Sequence, residues 1–333
     1  MSNKVSTPSK AVPLVAKNPI KAAINQYRIE LAILFALVIL VVSLSIIEPR
    51  FLMPANIENV LSQVMVLGLI AIGQTFVILT GGIDLSVGGI AAISTMVGAI
   101  VMLQWGFVPG VIAMLLVGAL VGTINGFLVS KIKLAPFIVT LATASIAVSI
   151  TYVISDGSTK TGLPAEFAKL GSMKIFGTYA YLWLLVICYI LAHIFLTRAK
   201  YGRYLYAAGS NAEAARLAGV PIDRVLMFPY IVTGVLCAVA MMIEASRLGA
   251  IDPNTGTGFE MNTIAAVVIG GASLMGGRGT VVGTFIGILL IGVLSNGLNL
   301  LGVNAFWQGT ALGVIMLLAV ILDRVVRIRN SKK

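Results

Sequence analysis

LAILFALVILVVSLSII, Leu31 to Ile47, runs for seventeen residues without a charged side chain. The hydrocarbon core of a bilayer takes about 20 mostly apolar residues to cross as a helix, so this run, with its flanks, reads as a span. A polar tail of 30 residues precedes it and no small-residue cleavage site follows, which argues against a cleaved leader. Working outward, runs of the same kind recur to the end of the chain. We place ten, at about 30–47, 59–80, 86–104, 109–129, 136–154, 180–197, 225–247, 262–275, 280–297 and 307–323. They are continuous rather than alternating, which selects helices over a barrel. The expected fold is an all-α polytopic membrane protein of about ten transmembrane helices.

Composition agrees. Hydrophobic residues make up 59% of the 333 positions and charged residues 11%, against about 25% charged in soluble chains. Cys188 and Cys237 both fall inside apolar runs, so neither a disulfide framework nor a metal cluster is indicated.

The basic residues orient the spans. With the N-terminus inside, the inner side receives 18 of the 23 Lys and Arg: five in the tail, Lys131, Lys133, five in the loop 198–224, Arg278 and five at the C-terminal end. The outer side keeps Arg50, Lys160, Lys169, Lys174 and Arg247. This bias is what the positive-inside rule expects. It accounts for the net charge of +11 through membrane topology and lipid contact, with no nucleic acid. The expected organisation is a disordered basic tail over 1–29, a membrane domain over 30–324 and a basic end over 325–333, both termini cytoplasmic. A weak internal repeat at an offset of 189 aligns GGIDLSVGGI (81–90) with GGASLMGGRG (270–279). Duplicated halves often frame a transporter's path.

None of the twelve lysines follows a glycine, so the Gly-Lys step of a phosphate-binding loop is missing. The single histidine, His193, has no His or Cys beside it in sequence and reads as a packed residue. Acids within spans are costly and mark function by default. Two qualify: Asp84, a local helix cap or a gate, and Glu244, an i,i+3 partner of Arg247 or a coupling group. Amides at Asn125, Asn296, Asn299 and Gln308 suit either interhelical bonds or a wet path for a neutral polar solute. Asp84 and Arg278 carry opposite charge on the two glycine-rich turns and form a candidate pair. Gly118, Gly122 and Gly126 lay a smooth strip along one helix face.

Within the loop 198–224, GSNAEAARLAGVPIDR (209–224) predicts a short helix. Ser210 and Glu213 have the S-x-x-E spacing of a capping box, and Gly219 with Pro221 supplies the stop. Two turns of helix in a loop need something docked on them, whether lipid headgroups or a protein. Here GSNAEAARLAGV resembles the coupling segment of the permease subunits of ribose-type ABC sugar importers. So do ILTGGIDLSVGG (78–89), GRYLYAAGSN (202–211), GTGFEMNTIAAVVIGGASLMGGRGTVVGTFIG (256–287) and LSNGLNLLGV (294–303). The likeness runs from about residue 30 onward. It implies a subunit of the bacterial inner membrane that is not itself an enzyme. Its implied partners are a cytoplasmic ATPase binding ATP and Mg, an extracytoplasmic sugar-binding protein and a second permease copy. It also implies that Ser210, Asn211, Glu213, Ala214, Ala215, Arg216, Ala218 and Gly219 form the ATPase-coupling segment. The competing class is a self-powered carrier or channel, supported only by Asp84 and Glu244; a membrane-embedded enzyme lacks any suitably spaced acid pair or metal cluster.

Overall fold

The computed structural model describes residues 28–304, with 307–311, 313, 314, 317 and 321 beyond them. The expectations for the tail before residue 28, for the end 325–333 and for most of the span 307–323 lie outside the described residues. The helices are α1 (Arg28–Ile47), α2 (Pro54–Leu79), α3 (Val87–Trp105), α4 (Phe107–Ser130), α5 (Pro136–Ser155), α6 (Ala165–Ser172) and α7 (Ala180–Arg198). After them come α8 (Lys200–Ser210), α9 (Ala212–Leu217), α10 (Ile222–Leu248), α11 (Phe259–Ile269) and α12 (Val281–Leu300). A 3-10 turn, Pro49–Leu52, follows α1, and one small hairpin pairs Lys174–Ile175 antiparallel with Thr178–Tyr179.

Eight of the helices, α1 to α5, α7, α10 and α12, are long and apolar enough to cross a membrane. The chain is a polytopic all-helical membrane protein. The eighth expected span is the exception: α11 covers only 11 residues. Its run 262–275 is apolar, but Gly270 and Gly271 end the helix, the latter at φ 90°, where a side chain would be strained.

Helix α2 forms the centre, with 89% of its most apolar stretch buried, whereas α1 is peripheral at 11%. Glycines set the closest approaches. The strip on α4 meets α10: a Cβ on Gly118 would lie 2.4 Å from the Gly234 carbonyl, and one on Gly122 2.3 Å from that of Tyr230.

The internal repeat shows as two matching helix ends. The Gly82 N–H donates to the Val77 carbonyl at 3.1 Å, closing α2, and the Ala272 N–H donates to that of Val267 at 3.1 Å, closing α11. Equivalent positions are therefore 190 apart at the helix ends, one more than the sequence alignment. The helices that follow start at 87 and 281, 194 apart. The second turn is longer and closes on itself through Ser273 N–H to the Arg278 carbonyl, 3.0 Å.

The end of the bundle bearing α8 and α9 also holds Lys131, Lys133, Arg224 and Arg278, and is called the basic end below.

Candidate functional site

The site is built where the α8–α9 hairpin meets the two glycine turns. Helix α8 runs without a break to Ser210, because its last residues are wedged into the bundle. A Cβ on Gly209 would lie 1.9 Å from the Leu79 carbonyl and 2.7 Å from the Gly277 nitrogen. The Gly277 N–H donates to that same Leu79 carbonyl at 2.9 Å, and the Tyr206 hydroxyl donates to the Gly279 carbonyl at 2.8 Å. The end of α2, the turn 270–280 and the end of α8 thus form one junction. The two turns lie together at the basic end, as the repeat suggested.

Asn211 then turns the chain, at φ −162° and ψ 99°, and caps α9: its Oδ1 accepts from the Ala214 N–H at 2.9 Å. The expected cap was Ser210, paired with Glu213. Ser210 is instead held as the last residue of α8 against Gly277, whose added Cβ would meet the Ser210 Oγ at 2.4 Å. Glu213 faces outward, 3.9 Å from Arg216, an exposed pair worth little. Gly219 ends α9 at φ 82°, as its position implied. Ala215, 7% exposed, and Val220, 8%, root α9 in the main core. Ala214 and Ala218 face out, and so does Leu217, exposed to 82%. Leu217 is the functional candidate the sequence reading missed; an apolar residue between Arg216 and Gly219 on a two-turn helix was the available signal. Two further ties brace the helix that follows: Lys131 and Lys133 reach the Asp223 carboxylate at 3.0 and 2.7 Å.

Asp84 lies deeper, wholly buried. Its Oδ1 accepts from the Ser86 N–H at 2.8 Å and the Ser86 hydroxyl at 2.5 Å, and that hydroxyl accepts from Asn125 Nδ2 at 2.8 Å. Thr140 ties the same segment to α5, its Oγ1 accepting from the Leu85 N–H at 3.0 Å. The residue at the start of α3 is Ser86, so Asp84 makes a local turn rather than the cap itself. Arg278 is exposed, and among the described residues no ion pair joins it to Asp84. The candidate pair therefore does not form: one carboxylate oxygen, Oδ1, is held by Ser86 two residues away, while the arginine points to the surface. Asp84 Oδ2, Asn125 Oδ1 and the Tyr230 hydroxyl have no partner among the described residues.

The remaining candidates separate. Asn296 and Asn56 exchange amide bonds at 2.7 and 2.9 Å, clamping α12 to α2. Gln308 donates to Asn299 at 2.6 Å at the opposite end of the bundle. Glu244 pairs with Arg247 at 2.7 Å, the local reading. Their contacts fall in separate places: Asn125 in the Asp84–Ser86 network, Asn296 between α12 and α2, and Asn299 with Gln308. Among the described residues no group of three His, Cys, Asp or Glu side chains is placed to hold a metal.

Over residues 56–320 the chain matches the family described as branched-chain amino acid transport system / permease component. It is 44% identical over 297 residues to the ribose import permease protein RbsC of Bacillus subtilis, covering 86% of this chain and 90% of that one. Against the protein of the same name from Escherichia coli K12 it is 39% identical over 295 residues, 87% and 92% of the two chains. Against the fructose import permease protein FrcC of Rhizobium meliloti it is 37% identical over 307 residues, 87% and 85%. No solved structure matches the chain.

Proposed function

The chain belongs to the family of transport-system permease components matched above, and from that premise we propose that it is the membrane subunit of an ATP-driven importer carrying a monosaccharide, ribose or a related sugar. The relatives carry ribose and fructose import in their names. Hydrolysis belongs to a separate ATPase that binds ATP and Mg and seats on the basic end. An extracytoplasmic binding protein delivers the sugar to the other end, and a second permease copy completes the membrane unit.

One observation carries the mechanism: α9 is rooted by Ala215 and Val220, while α8, immediately before it, is wedged between the ends of α2 and the 270–280 turn. A push on α9 cannot be absorbed locally. It moves the junction, and with it the glycine turns that lead into α3 and α12. Packed elements respond to such a push by switching arrangement rather than by gradual deformation. Both turns open on glycines with positive φ, Gly81 at 81° and Gly271 at 90°, so each is a sharp, defined hinge.

In proteoliposomes containing the permease, its ATPase and sugar-loaded binding protein, labelled ribose should enter only with ATP on the ATPase side. Ionophores that collapse proton and sodium gradients should leave entry unchanged. Entry driven by an ion gradient without ATP would establish the self-powered carrier instead. Sidedness is read in the same vesicles: cysteines at Leu217 and Thr159 should react with an impermeant reagent from opposite faces.

A further inference from the structure

We propose that a cleft between α3, α5 and the start of α11 is a solute-contact station on the transport path, where Glu260 and Thr257 read the hydroxyls of the passing sugar. The proposal rests on the importer reading above and names the residues of its path.

The segment 249–258 leaves α10 at the end opposite α8. It is pinned there by Lys160 and Ile251, which exchange backbone bonds of 2.9 Å in both directions. The Thr159 hydroxyl also donates to Asp252 at 2.8 Å. Five residues on, Gly256 sits against the first turn of α3. A Cβ there would lie 2.7 Å from that of Ala91 and 2.8 Å from the Gly88 carbonyl. Gly89, next to Gly88, packs on Ala144, where a Cβ would come within 2.9 Å of the Ala144 Cα. Ala144 is near the middle of α5, which spans Pro136–Ser155. Non-helical chain from one end of the bundle therefore descends to mid-depth before α11 begins.

Irregular backbone at membrane depth is tolerated where it is buried in protein or lines a water-filled cavity. Here it lines a cleft of about 300 Å³, at the lower end of the range for small-ligand sites. Asn254, Thr255, Thr257 and Glu260 supply its polar wall, and Leu141 and Val148 an apolar one. Asn254 is already engaged, accepting from the Tyr152 hydroxyl. Thr257 is exposed and Glu260 half-buried, and among the described residues no hydrogen bond or ion pair holds the Glu260 carboxylate. An ionised carboxylate at this depth needs a partner or water. No Lys or Arg lines the cleft, which disfavours an anion. The Thr257 hydroxyl donates to the Asn254 carbonyl at 2.7 Å and keeps its oxygen lone pairs as acceptors. With a carboxylate that accepts O–H bonds beside it and an apolar face opposite, the cleft matches a neutral polyhydroxylated ring.

The test uses the assembled complex with saturating loaded binding protein, and D-ribose, D-fructose and D-allose as probes. Glu260→Gln should lower turnover at least tenfold for the best sugar, and Thr257→Val should change the ratio among the three. Basal ATP hydrolysis and binding of the ATPase should stay unchanged in both variants. As a measurement independent of turnover, Thr257→Cys, in a chain with Cys188→Ala and Cys237→Ala, should react with a small methanethiosulfonate and be protected while sugar is being moved. Native rates and ratios in both variants, or labelling indifferent to sugar, would overturn the site while leaving the importer intact. A native complex that moves none of the three sugars would refute the importer reading itself.

Discussion

Asn211 and Ser210 are neighbours with separate duties, and substitution distinguishes them. Asn211→Ala removes the bond to the Ala214 N–H, a loss of about 1 kcal/mol for a helix cap. The expected result is faster amide exchange over 212–217, and Ser210→Ala should leave exchange there unchanged. Ala215 points into the core, so a bulky replacement overpacks it, at a typical cost of about 1–3 kcal/mol, and tests folding rather than docking. At Asp84, the expected order of thermal stability in detergent is native, then Asp84→Asn, then Asp84→Ala, because asparagine keeps an acceptor for the Ser86 N–H. Exchanging the charges of Asp84 and Arg278 should rescue nothing; restored uptake in the double exchange would show that the two meet. The sequence singled out Asp84 because an acid among apolar residues is conspicuous. It could not show which partner holds the carboxylate, since local and long-range partners look alike until burial is known. Glu260 escaped because TGTGFE, with two glycines, reads as a loop outside the membrane. Only the contact of Gly256 with Gly88 and Ala91 reveals its depth.

Elements follow the same division. Seven of the spans read from hydropathy alone coincide with long helices within a few residues, and an eighth, 280–297, matches α12. A continuous apolar run of about 20 residues has few folded options in lipid. Hydropathy misled at 262–275, where apolar residues continue through Gly270 and Gly271 although the helix stops. Likewise the loop 198–224 holds two helices, because α8 is fixed by contacts with residues 79 and 277 that no local pattern announces. Its junction makes a sharp prediction. Gly209→Ala places a methyl group where only 1.9 Å separates it from the Leu79 carbonyl, and the nearest atoms are backbone, so the wedge must shift. The expected outcome is an ATPase that still co-purifies with the permease and still hydrolyses ATP, with uptake reduced at least tenfold. Normal uptake by this variant would show that force does not pass through the junction.

Across the whole molecule, most of the described basic residues gather at the end that holds α9 and the two glycine turns, while Arg50, Lys160, Lys169, Lys174 and Arg247 stay at the other. On the proposed function, a partner at the basic end would act directly on the turns, and a sugar entering at the other end would meet the segment 249–258 first. The central claim is that the outward surface of α9 receives the ATPase stroke. Leu217, exposed to 82%, is its most prominent apolar contact and contributes nothing to the core. The direct measurement is sugar-stimulated ATP hydrolysis in the reconstituted complex carrying Leu217→Asp, alongside the thermal unfolding of the permease alone. We expect unfolding at the native temperature, with stimulated hydrolysis and uptake both lost. Native stimulation and uptake with Leu217→Asp in place would contradict the account.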